Sequence, residues 1–126
     1  MKKLIFVVHR HEASHLHWDL RLEMDGVLKS WAIPKEPPTK PKVKRLAIQV
    51  EDHDLEYADF EGEIAEGYGA GKVKIWDKGT YEVINSKEWK IVLKFNGKKL
   101  KGEYVLLKFK KAGEKDWLIF KKGDKE

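Results

Sequence analysis

The stretch SHLHWDLRLEMDGVLKSWAI, residues 14–33, decides the fold. Within residues 14–23, the even positions are apolar except for Ser14, and the odd positions are all polar. Successive side chains of a strand point to opposite faces, so this alternation predicts a strand with one face in the core. The Asp25-Gly26 pair predicts a tight turn, and residues 27–33 then return as the second strand of a hairpin.

The rest of the chain also has the pattern of short strands separated by turn signals. Further strands are predicted at residues 4–8, 45–51, 72–76, 80–84, 89–95, 103–109 and 117–121. The turn signals between them lie at residues 67–71, 77–79, 96–97 and 112–113. No segment has a helical period over three turns, and at most residues 58–64 form a helical turn. We therefore predict an all-β fold: one domain, residues 1–126, built as a closed or nearly closed β-barrel of about eight strands with short helical turns.

The composition excludes several classes of protein. The chain has 126 residues, and its five Trp, four Tyr and five Phe supply a core, so bulk disorder is excluded. It has no Cys, which excludes disulfide scaffolds, zinc ribbons and thiol nucleophiles. The apolar run at residues 4–8 is too short for a signal peptide or a membrane span. We expect a cytoplasmic protein without membrane contact, and a monomer.

Charge is unevenly divided along the chain. Residues 1–50 carry a net charge of +5, residues 51–85 a net −7 and residues 86–126 a net +7. A basic–acidic–basic chain suits a polyanionic partner contacted by its two ends, although a solvated lysine-rich surface is an equal alternative. Only three of the 26 basic residues are Arg, at positions 10, 21 and 45. Arginine has a planar fork that grips phosphate or carboxylate, so these three positions are candidates for anion binding.

The polar face of the first hairpin strand has an unusual composition. Its odd positions, together with those just before it, hold four of the five His residues of the chain, along with one Asp and one Arg. His17 and Asp19 lie two apart on one strand face, so both can reach one ion, and imidazole with carboxylate suits Mn²⁺, Fe²⁺ or Zn²⁺. His11 has the right parity to be the third ligand, while His9 and His15 remain competitors for that place.

A second polar face is predicted in residues 45–53. Its apolar face would hold Leu46, Ile48 and Val50, and its other face Arg45, Ala47, Gln49, Glu51 and His53. Arg45, Glu51 and His53 could then line the same pocket as the first strand. Two further candidates are Tyr57, which is either a core residue or a hydroxyl donor to an anion, and Lys35, which a proline-rich loop would hold in a fixed direction.

A divalent metal beside arginine, lysine, histidine and tyrosine suits a tetrahedral anion, and phosphate is the default. Two other classes remain open from the residues alone. His17, Asp19 and His53 could form the two-histidine, one-carboxylate triad of a non-haem Fe(II) oxygenase. The chain could also be a non-enzymatic nucleic-acid-binding barrel, with aromatics that stack on bases and lysines that follow the phosphates.

Several motifs together resemble one family closely. They are His11 with LHWDLRLE (16–23), DGVLKSWAIPK (25–35), KRLA (44–47), VEDH (50–53), YADFEG (57–62), GYGAG (67–71), WD (76–77) and WL (117–118). The sequence resembles the 3′-phosphoesterase domain of the bacterial end-joining DNA ligase D and its stand-alone archaeal relatives. The resemblance covers nearly the whole chain, and its His-x5-His-x-Asp-x-Arg run is specific.

The resemblance implies a β-barrel enzyme that depends on Mn²⁺. Other divalent metals such as Co²⁺ or Zn²⁺ are alternatives for the same ligands. The resemblance also implies a phosphodiesterase step that removes a terminal ribonucleoside from the 3′ end of DNA or an RNA-terminated primer-template, and a phosphomonoesterase step that leaves a 3′-OH. The resemblance implies three metal ligands, His11, His17 and Asp19, and three phosphate-binding and catalytic groups, Arg21, His53 and Tyr57. It also implies supporting phosphate contacts by Lys35 and Arg45, and a role for Glu51 in supporting the groups that contact the phosphate. From the residues alone, His15 is a further candidate for such a supporting role. A ligase or polymerase that takes up the product would act in trans.

The sequence departs from the family pattern in three places. Only ten residues precede His11, where the bacterial domains carry an N-terminal extension that helps the monoesterase step. His15 stands where an arginine is common, and the bend at residues 67–71 is one residue shorter than usual.

Overall fold

A computed structural model describes residues 3–65, 67, 70–109 and 115–123. These residues form nine strands and one short 3-10 helix at Leu55–Asp59. The strands are β1 (Leu4–Glu12), β2 (Leu16–Met24), β3 (Val27–Ile33), β4 (Lys44–His53), β5 (Gly62–Ile64), β6 (Gly71–Lys87), β7 (Lys90–Asn96), β8 (Lys101–Lys108) and β9 (Asp116–Lys121). In the described part of the chain, no helix is long and apolar enough to cross a membrane.

Eight of the strands close into an antiparallel barrel. They are hydrogen-bonded in the order β1-β2-β3-β4-β9-β8-β7-β6, and β6 pairs back onto β1 over Leu4 to Glu12. The three-residue β5 is added beside the beginning of β6. This confirms the prediction of an all-β barrel of about eight strands. Closure leaves the eight barrel strands without a free edge, which removes a common route to aggregation.

The predicted alternation in the first hairpin is confirmed. Leu20 and Leu22 are fully buried in the main core cluster inside the barrel, where they pack with Trp31. Asp19 and Arg21 alternate with them and therefore lie on the outer wall. Leu16, which the pattern assigned to the core face, is 40% exposed because it pairs with Glu12 at the end of the β1–β2 ladder, where the barrel opens.

A second, smaller core lies on the outer wall of β1 and β3. Val7, Leu28 and Ala58 are buried there, and the 3-10 helix Leu55–Asp59 supplies Ala58 as the cover. The prediction of a helical turn at residues 58–64 is wrong. The helical turn ends at Asp59, and residues 62–64 are extended and pair with β6. The 3-10 helix shields part of the outer wall of the barrel from solvent, so polar side chains beside it can also be buried.

A β-bulge in β4 reverses which of its side chains face outward. Ser30 pairs with Val50 and Leu28 pairs with His53, so three steps along β4 match two along β3. Before the bulge, the odd-numbered Ala47 is fully buried in the barrel core, whereas Leu46 is exposed. The predicted apolar face of residues 45–51 is therefore wrong. Past the bulge the parity changes, and this shift brings His53 to the outer wall.

The predicted turn at residues 77–79 is also wrong, because β6 runs without a break from Gly71 to Lys87. The Asp77 side chain is buried and accepts hydrogen bonds from the backbone N–H groups of residues 98, 99 and 100 in the loop between β7 and β8. Gly79 lies so close to β7 that an added Cβ would come within 2.3 Å of the Asn96 carbonyl oxygen. Asp77 thus holds the β7–β8 loop, Gly79 allows the two strands to approach closely, and neither residue forms a turn.

One further boundary differs from expectation. β1 continues to Glu12, four residues beyond its predicted end, because residues 9–12 pair with both β2 and β6. His11 therefore lies within a strand. The turn predicted at residues 112–113 and part of the bend at residues 67–71 fall outside the described residues.

Replacing Asp77 by Ala is expected to lower the free energy of unfolding by roughly 2–4 kcal/mol, because three loop N–H groups lose a charged acceptor in a buried place. Urea denaturation of the two proteins measures the difference. The matched control is Asp52→Ala, since the Asp52 carboxylate forms an exposed ion pair with Lys29, and that change should cost less than about 1 kcal/mol. Equal effects of the two substitutions would refute the assigned role of Asp77.

Candidate active site

Two histidines and one carboxylate converge on the outer wall of β1 and β2. His11 and His17 are direct partners across the two strands, and Asp19 follows on the same face of β2. The Asp19 Oδ2 lies 3.2 Å from His17 Nε2 and 3.5 Å from His11 Nδ1. The three ligand atoms all lie within 4.8 Å of one another, a spacing at which one ion can contact all three.

The surroundings of these three groups fit a metal site. His17 Nδ1 lies 3.0 Å from the carbonyl oxygen of His15 and donates to it, which turns Nε2 toward Asp19. Metal-binding imidazoles are commonly held in this way by a hydrogen bond from the other ring nitrogen. The hydrogen bond to Asp19 raises the pKa of His17. Burial alone would raise the pKa of Asp19, but the His17 hydrogen bond and the Arg21 charge outweigh burial and hold that pKa below its usual value.

Arg21 joins this cluster to the rest of the pocket. Its side chain is 4% exposed, and its Nε donates to His9 Nδ1 at 3.0 Å. Its Nη1 donates to Ser30 Oγ at 2.9 Å and contacts His53 Nδ1 at 3.0 Å. Its Nη2 donates to Asp19 Oδ2 at 3.4 Å. A guanidinium has five N–H donors, so these contacts leave one N–H on Nη2 for a substrate oxygen.

Two contacts compete for His53 Nδ1. The Arg21 guanidinium lies 3.0 Å away and the carbonyl oxygen of Glu51 lies 3.2 Å away. Arginine can only donate and a carbonyl oxygen can only accept, so Nδ1 can satisfy just one of these two contacts. The Arg21 contact is the shorter and has a charged donor, so we assign Nδ1 as its acceptor and place the proton of the neutral ring on Nε2. Burial lowers the pKa of His53, and the charge of Arg21 adds to this effect. The neutral ring is therefore the relevant form near neutral pH.

Tyr57 covers the guanidinium from the side of the 3-10 helix. The Arg21 Cζ lies 4.9 Å from the Tyr57 ring centroid, an arrangement in which the cation faces the aromatic π-system. Tyr57 also stacks on Phe60 with 4.9 Å between ring centroids and contacts His53 at 4.8 Å. Burial raises the pKa of the Tyr57 hydroxyl, so the phenol stays protonated.

These side chains line one open cavity of about 640 Å³. Seven of the predicted site residues lie in its wall: His11, His17, Asp19, Arg21, Glu51, His53 and Tyr57. The wall also contains Ala32 and Val50 on one side and Ile64 on another. The cavity therefore places a candidate metal site and candidate anion donors beside apolar surface.

The other three predicted residues lie outside this wall. Arg45 Nε donates to the carbonyl oxygen of Glu36 at 3.0 Å, and Lys35 is exposed in the proline-rich loop. The His15 side chain is exposed, and its contact with the site is made by its backbone oxygen. Phosphate contacts by Lys35 and Arg45 stay predictions.

Sequence reasoning missed the parts played by His9 and Ser30, both fully buried against Arg21. For His9 the signal was its shared odd parity with His11, but parity cannot distinguish a metal ligand from a partner of arginine. For Ser30 the signal was the register of the hairpin, since Ser30 is the direct β3 partner of Arg21.

Fold and site together define a class: an antiparallel β-barrel with a candidate divalent-metal and oxyanion site on its outer wall. The chain belongs to the DNA ligase D 3′-phosphoesterase domain family, whose model matches residues 9–108. This confirms the resemblance seen in the sequence motifs.

Curated relatives support the assignment over nearly the whole chain. The multifunctional non-homologous end joining protein LigD of Pseudomonas aeruginosa is 45% identical over 130 residues, covering 98% of this chain and 16% of that protein. The LigD protein of Mycobacterium bovis is 47% identical over 82% of this chain and 14% of its own length. The LigD protein of Mycolicibacterium smegmatis is 40% identical over 96% of this chain and 17% of its own length. The chain thus spans about one sixth of the length of these relatives.

Proposed function

We propose that this chain is a Mn²⁺-dependent phosphoesterase that processes the 3′ ends of DNA. One observation carries the proposal: the His11, His17 and Asp19 cluster shares a cavity with Arg21 and His53. Family membership supports phosphoester chemistry at a nucleic-acid 3′ end. The substrate we propose is a primer-template with a terminal ribonucleotide, and the product is a 3′-phosphate and then a 3′-OH.

The residues present would hold the metal through His11, His17 and Asp19. When bound there, a divalent ion supplies a Lewis acid for a phosphoryl oxygen and lowers the pKa of bound water. Arg21 would orient a second phosphoryl oxygen with its remaining N–H. The Nε2–H of the neutral His53 ring would donate a hydrogen bond to a phosphoryl oxygen and stabilise the negative charge that develops there, with Arg21 at its other ring nitrogen.

The same geometry does not assemble the Fe(II) oxygenase triad predicted from His17, Asp19 and His53. That reading needs His17, Asp19 and His53 on one ion, whereas His53 is held by Arg21. Among the described residues, the group close enough to share an ion contains His11 and not His53. A 2-His-1-carboxylate triad built from His53 would have to break its contact with a buried arginine.

We also propose how the product is used. The relatives are named as multifunctional end-joining proteins, and this chain matches about one sixth of their length. A ligase or polymerase, either elsewhere in a longer chain or acting in trans, would take up the 3′-OH. The net +7 of residues 86–126 would add sequence-independent attraction to the DNA backbone.

The test is 3′-end processing of a labelled primer-template that ends in one ribonucleotide. We expect loss of the terminal nucleoside with Mn²⁺, and no reaction in EDTA. His53→Ala should keep Mn²⁺ binding but lower the rate by about 100-fold or more, because a donor aimed at the reacting phosphate is removed. Product masses identify the 3′-phosphate and 3′-OH ends.

Three results would contradict the proposal. Processing that persists in EDTA would exclude a metal-dependent step. DNA binding without cleavage, unaffected by EDTA or by loss of His17, would support a non-enzymatic binding barrel. Oxygen consumption with an organic acid and Fe²⁺ would support the oxygenase.

A further inference from the structure

His9 is a fully buried histidine that the proposed chemistry does not use. Its exposed fraction is 0%, and it is absent from the described residues that line the cavity. Its Nδ1 accepts from Arg21 Nε at 3.0 Å, and its Nε2 lies 3.0 Å from the carbonyl oxygen of Phe60. Both ring nitrogens are therefore engaged, which removes His9 from the competition for the metal.

The two partners of His9 fix where its proton sits. Arginine can only donate and a carbonyl oxygen can only accept, so Nδ1 is bare and Nε2 carries the hydrogen. No other tautomer satisfies both contacts. The Tyr57 ring meets the imidazole edge-on, at 5.2 Å between centroids and 71° between planes, which also restricts rotation of the ring.

The segment that holds His9 is itself anchored to the barrel. The Phe60 N–H donates to the Tyr57 carbonyl oxygen at 3.1 Å, which closes the 3-10 turn before it. The carboxylate of Glu61 accepts from the backbone N–H of Ile75 in β6 at 2.8 Å. The Phe60 carbonyl oxygen is thus held in place on both sides.

The contact at Nε sets the direction of the whole guanidinium plane. A guanidinium is planar and rigid, so once Nε points to His9, the positions of Nη1 and Nη2 are determined. Nη1 then faces His53 and Nη2 faces Asp19. Without an acceptor at His9, the plane could turn about its long axis, and the contact that keeps His53 Nδ1 bare would be lost.

We propose that His9 is a positioning residue: through Arg21 it holds His53 in the tautomer that carries its proton on Nε2, facing the substrate. The catalytic benefit of this arrangement rests on the proposed function, but the hydrogen-bonded chain from the Phe60 carbonyl oxygen through His9 and Arg21 to His53 does not. In this role, His9 contacts neither the metal nor the substrate.

The first test uses the metal-free full chain and needs no activity. Long-range ¹⁵N–¹H correlation spectra at pH 7 report which nitrogen of each histidine carries hydrogen. We expect both His9 and His53 in the Nε2–H form. A wild-type His9 or His53 found with its proton on Nδ1 would overturn the proposal, because that ring could not accept from Arg21.

The second test compares two substitutions. Gln offers an acceptor and a donor on one amide, so His9→Gln should keep the His53 tautomer and process 3′ ends within about threefold of the wild type. His9→Leu has no acceptor, so the His53 signals should become a mixture of tautomers and the rate should fall about 10- to 100-fold.

The control is Gln49→Leu, which removes the acceptor of the Trp117 indole at 3.2 Å from a place outside the cavity wall. It should reduce stability without changing the His53 spectrum. A folded His9→Leu protein with unchanged His53 signals and rate would overturn the proposal. If that protein does not fold, a His9→Gln protein with a changed His53 tautomer would do so. Absence of 3′ processing in the wild type would instead count against the proposed function, since the spectra are independent of it.

Discussion

Replacing Asp19 by Asn is expected to abolish both Mn²⁺ binding and 3′-end processing, with a rate loss of about a thousandfold or more. Asn keeps the shape of the side chain but removes the negative charge that His11, His17 and Arg21 all face. A thousandfold corresponds to about 4 kcal/mol of transition-state stabilisation. Mn²⁺ titration followed by electron paramagnetic resonance measures binding, and the ribonucleotide-ended primer measures the rate.

The matched control for this change is Asp52→Asn, since Asp52 is an exposed carboxylate paired with Lys29. It should leave Mn²⁺ binding and the rate unchanged. If Asp19→Asn retained Mn²⁺ affinity within about threefold of the wild type, the metal would have to sit elsewhere.

Replacing Arg21 by Lys is expected to lower the rate by about 100- to 1,000-fold while Mn²⁺ affinity changes by less than about tenfold. A lysine ammonium concentrates its donors at one point, so it cannot reach His9, Ser30 and His53 together with the spacing of a guanidinium. The three metal ligands stay in place, so binding and catalysis should separate. Comparing kcat, KM and Mn²⁺ binding for the same preparation makes the distinction.

Arg10→Lys is the control for that substitution, because Arg10 forms an exposed ion pair with Glu12 at 2.9 Å. It should alter neither the rate nor the stability by a measurable amount. An Arg21→Lys protein that lost metal binding and rate in equal proportion would place Arg21 in the support of the metal alone.

The sequence was informative where a local period decides the structure. The alternation of β2 with the Asp25-Gly26 turn fixed one hairpin, and with it the outward direction of Asp19 and Arg21. The metal candidates could be found in the same way, because His11 and His17 share parity and the short β1–β2 connection makes them cross-strand partners. Both results depend on residues close together in the chain.

The predictions failed for features that are determined by contacts between residues far apart in the chain. The parity of β4 changes at a bulge that forms against β3, so the sequence of β4 alone gave the wrong apolar face. Asp77 has the composition of a turn signal, but its carboxylate binds loop N–H groups about twenty residues further along the chain. The role of His9 depends on Phe60, which is brought to it by the 3-10 segment. Periodicity carries no information about such contacts.

The position of the site on the outer wall has a consequence for how the protein can change over evolutionary time. Among the described residues, the main core cluster inside the barrel and the residues that line the cavity have no member in common. A lineage that moves to a hotter habitat can therefore exchange inward side chains to gain heat resistance without altering a reacting group. Conversely, the outer wall can adapt to a new kind of damaged end while the barrel keeps its architecture, so durability and substrate range can be selected separately.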